Sequence, residues 1–144
     1  MVKKRGRVFV LEDNQDICEV YYEALKQYGY DVDIYNCYDC AVEAIEEKGT
    51  KYWGAYLIDL KVLKSHKEDA SQNFKSDIFY GFELVRNYIP RERTLFVSGY
   101  FSPEIMKEII NLGVINILLK PVDLGKLILN INAIFDYIYS KLED

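Results

Sequence analysis

YLIDLKVLK, residues 56–64, starts as the end of a buried strand and breaks off at a carboxylate. Tyr56, Leu57 and Ile58 suit a sheet interior, whereas an Asp is rarely buried without a partner, so Asp59 marks where a strand leaves the core. Working outward, the same ending recurs. The run Val8–Leu11 stops at Glu12 and Asp13, Thr94–Val97 stops at Ser98, and Val114–Leu119 stops at Lys120 and Pro121. A weaker strand, alternating with acidic residues as an edge does, is expected over Val32–Tyr35.

Between these runs the apolar residues recur at helical spacing. Helices are expected over about Asp16–Tyr28, Asp39–Glu47, Phe82–Tyr88 and Pro103–Leu112, and over a last stretch whose stripe runs from Leu124 through Leu127, Ile131 and Phe135 to Leu142. Gly29 and Gly113 close two of them, Pro90 stops a third, and Ser102 followed by Pro103 opens the fourth. Five strand-helix units in succession predict an α/β domain: a doubly wound, five-stranded parallel sheet with flanking helices. The last stripe packs on the sheet or leaves part of itself, including Tyr137 and Tyr139, for a partner.

Bulk composition fits one domain over residues 1–144. Of these, 50% are hydrophobic and 28% charged, as in an ordinary globular protein. A net charge of −5 argues against direct nucleic-acid binding, and the basic start Lys3–Arg7 reads as a solvated lead-in to the first strand. Three cysteines are an odd count. With no secretory leader and no long uncharged apolar stretch, a cytoplasmic protein without membrane insertion is expected, and disulfides are not.

The polar residues fall at carboxyl-terminal strand ends, where open α/β sheets bind ligands. In the strand order 2-1-3-4-5 the topological reversal lies between strands one and three, which makes Asp13 and Asp59 neighbours. Clustered carboxylates either titrate abnormally or hold a hard cation such as Mg2+. Lys120 and Ser98 on adjoining strand ends suit a phosphoryl group, one as a point charge and the other as a donor. Asp59 then reads as a nucleophile that forms an aspartyl phosphate. Each residue alone has a plainer reading, Asp13 as a helix cap for example. The reading rests on the four strand ends together.

With VFVLEDN (8–14), YLIDL (56–60), GFELVR (81–86), LFVSGY (95–100) and LLKP (118–121), the chain resembles the response-regulator receiver domains of two-component signalling over almost its whole length. The resemblance implies the flavodoxin-like fold, with Asp59 as phosphoacceptor and Glu12 and Asp13 as the acidic pair that positions Mg2+. It also implies the backbone carbonyl of Lys61 as a further metal ligand, Ser98 as the switch hydroxyl, and Lys120 as the lysine that grips the phosphoryl group. Such a domain is no enzyme beyond its own phosphorylation and dephosphorylation. It takes the phosphoryl group from a histidine kinase or phosphotransfer protein and acts on a downstream protein target, in some cases as a homodimer.

Three features depart from that family. Ile117 stands where an aromatic switch residue is usual, with Tyr100 as a possible substitute. Gly81 follows Asp59 by 22 positions, so residues 62–80 contain an insertion, either a lid or docking loop or a solvated excursion. Lys61 places a cation two residues after the acceptor, where it either steadies the phosphoryl group or hinders attacking water. Two other readings stand beside the first. A phosphorylation-independent interaction module would keep the fold and have no use for repelling carboxylates. A thiol oxidoreductase would use Cys37-x-x-Cys40, which lacks an adjacent Trp or Pro. Zinc is disfavoured because a structural site usually takes four soft ligands, and His66 is expected in solvent.

Overall fold

β-branched and aromatic residues fill the strand positions, and their alternation decides which side of the sheet each faces. The computed structural model describes residues 5–66 and 78–143. Its strands are β1 (Gly6–Leu11), β2 (Tyr30–Tyr35), β3 (Ala55–Asp59), β4 (Thr94–Ser98) and β5 (Asn116–Leu119). All pair in parallel in the order β2-β1-β3-β4-β5, the doubly wound flavodoxin-like arrangement expected. The helices are α1 (Gln15–Gln27), α2 (Tyr38–Lys48), α3 (Tyr80–Tyr88), α4 (Pro103–Leu112) and α5 (Leu124–Glu143). Residues 67–77, most of the expected insertion, lie outside the described residues.

Every residue of β3 and β4 is buried, as central strands of a sheet covered on both faces must be. Phe9, Leu11, Tyr56, Ile58 and Phe96 face one side, with Trp53, Phe82 of α3 and Ile105 of α4. Val8, Val10, Leu57, Leu95 and Val97 face the other, with Leu25 of α1 and Leu127, Ile131 and Ile134 of α5. The stripe of α5 is therefore largely spent on the sheet. Tyr137 and Tyr139 stay half exposed, and the Tyr139 hydroxyl donates to the carbonyl of Arg5 at 2.6 Å. No helix among the described residues is long and apolar enough to cross a membrane.

Three boundaries differ from expectation, each for a physical reason. β1 begins at Gly6, so Arg7 belongs to the strand rather than to a solvated lead-in: it sits in register with Asp31 and bonds both oxygens of Asp33 at 3.0 Å. Trp53, fully buried, donates its indole N–H to Asp33 at 2.8 Å. β2 reaches back to Tyr30, which is buried against Phe135. β5 starts only at Asn116, because Val114 is buried as part of the turn after α4.

The cysteine expectation fails outright. Cys37 and Cys40 are joined in a disulfide, their Cα atoms 5.3 Å apart, within the range such a bond spans. Compartment arguments concern redox equilibrium, whereas a C-x-x-C at the start of a helix brings the two sulfurs together by geometry alone.

Candidate functional site

Helix capping determines which acid is left for the site. Asn14, not Asp13, caps α1, its side chain accepting the Ile17 amide at 3.0 Å. Asp13 instead accepts the amide of Leu63 at 3.1 Å, which ties the segment after β3 to the end of β1. Glu12 is buried, one oxygen accepting the Asn14 amide at 3.1 Å and the other bonded to Lys120. The end of β3 delivers Asp59, also buried, whose Oδ1 accepts the Lys61 amide at 3.2 Å.

Lys120 reaches in from the end of β5. Its Nζ donates at 2.7 Å to Glu12 Oε1 and at 2.7 Å to Asp59 Oδ2. Its own backbone amide bonds the Ser98 carbonyl at 2.8 Å, which fixes β5 beside β4 at this pole. The Ser98 hydroxyl donates to the carbonyl of Tyr100 at 2.9 Å, and the Tyr100 side chain, 71% exposed, stands out into solvent. Over the pole lies α3. A Cβ at Gly81 would fall inside the van der Waals radius of the Asp59 carbonyl oxygen, so only glycine lets the helix start this close. Ile117 is half-buried and packs against the aromatic side of the core.

All six residues singled out from sequence, Glu12, Asp13, Asp59, Ser98, Lys120 and, with an exposed side chain, Lys61, thus line one pocket of about 580 Å3. That volume holds a phosphoryl group with several waters, each needing roughly 30 Å3. The site is short of positive charge, with three carboxylates against the ammonium of Lys120 inside it and that of Lys61 at its exposed rim. Burial and then the nearby Glu12 push the Asp59 carboxyl up to about 7, against the pull of Lys120. Burial and Glu12 likewise raise Asp13. Burial alone would lower the Lys120 ammonium, but its bonds to Asp59 and Glu12 outweigh that and hold it above the ordinary lysine range.

The residues fit a hard divalent ion. Glu12, Asp13 and Asp59 each offer an oxygen, all within 4.8 Å of one another, and an all-oxygen anionic set matches Mg2+ chemistry. Sequence reasoning missed the Asn14 cap, although Asn before an apolar-periodic run is a recognisable cap signal. It also missed the tie from Asp13 to Leu63, a side chain to backbone bond with no sequence signature. Cys18 is buried beside Glu12, donating to its carbonyl at 3.3 Å, and burial pushes its thiol up to about 11, which leaves it inert.

No protein-family model matches the chain, and no curated protein matches it in sequence. Solved structures do. A CheY-like response regulator receiver domain protein from Methanospirillum hungatei JF-1 superposes with a TM-score of 0.74 at 21% identity, covering 98% of this chain and 99% of that one. A response regulator receiver protein from Pseudomonas putida gives a TM-score of 0.67 at 26% identity, over 92% and 98%. NtrX from Brucella abortus matches at a TM-score of 0.70 and 19% identity over 96% of this chain but only 29% of its own, so there the fold is one part of a longer protein. Over nearly its whole length, the chain has the fold of the response regulator receiver domains.

Proposed function

We propose that this protein is a phospho-accepting receiver, with Asp59 as the acceptor. One observation supports it most: Lys120 stands 2.7 Å from both Glu12 and Asp59 at a buried strand-end pole that carries more negative charge than it balances. A purely structural site gains nothing from such an excess. A carboxylate oxygen of Asp59 attacks the phosphorus of a phosphohistidine on a histidine kinase or phosphotransfer protein. The P–N bond breaks, its electron pair returns to the imidazole, and an acyl phosphate forms on Asp59. Lys120 shifts its ammonium from the Asp59 carboxylate to a phosphoryl oxygen. Glu12, Asp13 and Asp59, with the Lys61 carbonyl, would hold Mg2+, which would supply positive charge to keep these carboxylates ionised and offset charge on the phosphoryl oxygens. Hydrolysis reverses the capture: water attacks phosphorus, the bond to Asp59 breaks, and inorganic phosphate leaves.

The readout belongs to the segment after β4. The Ser98 hydroxyl, now given to the Tyr100 carbonyl, turns to a phosphoryl oxygen and releases that segment, changing the surface around Tyr100 for a downstream protein target in the cytoplasm. Ile117 has no ring to rotate, so β5 takes a smaller part. Incubation with a small-molecule phosphodonor and Mg2+, followed by intact-mass measurement, tests the reading. One phosphoryl group should add to the parent chain and none to Asp59→Asn. Labelling of both chains, or of neither, overturns it and leaves a module that works by binding alone.

A further inference from the structure

The start of the segment that follows Asp59 is strapped across the amino-terminal end of α2. Leu63 and Lys64 turn their carbonyls to the amides of Tyr38 and Asp39, both at 2.9 Å, and the Lys64 ammonium lies 3.4 Å from the Asp39 carboxylate. This strap carries His66 to the two cysteines: its Nε2 is 3.1 Å from Cys40 Sγ, and one donor atom from each of Cys37, Cys40 and His66 lies within 4.8 Å of the others. His66 is exposed, so apolar packing does not account for its position. A disulfide needs no imidazole.

We infer that, in its reduced form, this chain binds a thiophilic divalent ion of the Zn2+ class through Cys37, Cys40 and His66. Two thiolates and an imidazole form a borderline-soft donor set suited to zinc, with the fourth position left to water or an outside ligand. Cys37 already accepts the Cys40 amide at 3.1 Å, and it caps α2, where amide dipoles favour negative charge on sulfur. Cys40 is half-buried and His66 exposed, which provides an entry path. The all-oxygen cluster at Glu12, Asp13 and Asp59 prefers harder ions, so the two sites do not compete. The disulfide is the alternative state. A dithiol reductant supplies two electrons and two protons and leaves as its own disulfide, and the entering ion then displaces both thiol protons. The strap joins the two sites, since Leu63 also holds Asp13.

The test uses the full chain, reduced with a phosphine and freed of metal, then titrated with Co2+ as a spectroscopic probe and back-titrated with Zn2+. One equivalent of Co2+ should give a thiolate-to-metal charge-transfer band that Zn2+ abolishes, and the oxidised chain should give none. Cys40→Ser should lose the band. His66→Ala, at an exposed position where folding is not at stake, should weaken binding by roughly a hundredfold. Cys18→Ala and Asp59→Asn should leave it unchanged, which separates this site from the acidic one. Absence of the band in the reduced parent, its survival in His66→Ala at full affinity, or its loss in Cys18→Ala would each overturn the inference.

Discussion

At the amino-terminal edge of the sheet Arg7 stands between Asp31 and Asp33; at the carboxyl-terminal edge Lys120 stands between Glu12 and Asp59. Both set one cation between two acids, and at the first Lys26 adds a second partner for Asp31 at 3.5 Å. The Arg7 side chain is 32% exposed and its partners 23% and 28%, so water shares the work of balancing them. The Lys120 partners are 1% and 7% exposed, and Asp13 adds a third carboxylate to that pole. The first group is settled by solvent, by an aromatic ring under the guanidinium and by the indole of Trp53. The second is left with charge that a retained proton or an added cation must relieve. Similar pairing thus leaves one end balanced and the other short of positive charge, and burial makes the difference.

Four measurements break or sharpen that contrast. Lys120→Met leaves two buried carboxylates without their cation and should cost about 3 kcal/mol in urea unfolding at pH 7 with a chelator present; a loss no larger than that of an exposed pair would dissolve the distinction. Asp59→Asn should act the other way, raising stability at pH 7 by about 2 kcal/mol. Its folded carboxyl sits near 7, above its ordinary value of 3.8, so the native state holds the proton more tightly than the unfolded chain. Stability from this group is therefore full below about pH 4 and lost as pH rises towards 7, and subtracting the Asn variant's pH profile from the parent's should expose that fall. A difference that is flat, or rises with pH, contradicts the assignment.

Mg2+ in excess should stabilise the parent by about 1 kcal/mol through mass action, seen as an upward shift in thermal midpoint that Asp13→Asn reduces and Arg7→Gln leaves intact. Arg7→Gln itself should cost the least, about 0.5–1 kcal/mol, and less still in high salt. If it costs as much as Lys120→Met, exposure does not separate the two poles.

The sheet and its order were legible because buried strands announce themselves as apolar runs, and the site because each run ends at a polar residue on the same side. Legibility failed where a charged pair made a strand position. Arg7 and Asp31 look like solvated residues one at a time, and only their register across β1 and β2 turns them into sheet. Val114 misled in the opposite sense, since apolar character reports burial and a turn can be buried too. The union of His66 with Cys37 and Cys40 was invisible for another reason. It depends on backbone bonds from Leu63 and Lys64 to the start of α2, and backbone groups are the same in every residue.

Trp53 is the chain's single tryptophan, wholly enclosed and bonded through its indole to Asp33 beside Arg7. The length of β3 keeps it roughly 13 Å or more from Asp59 at 3.3 Å per residue. Its emission should accordingly be blue-shifted in the folded chain, move to the red when the sheet comes apart, and stay constant while occupancy of the acidic pole varies. The molecule carries a built-in fluorophore whose silence during phosphodonor or cation titration certifies that the scaffold is intact, so that any signal seen then belongs to the pole itself.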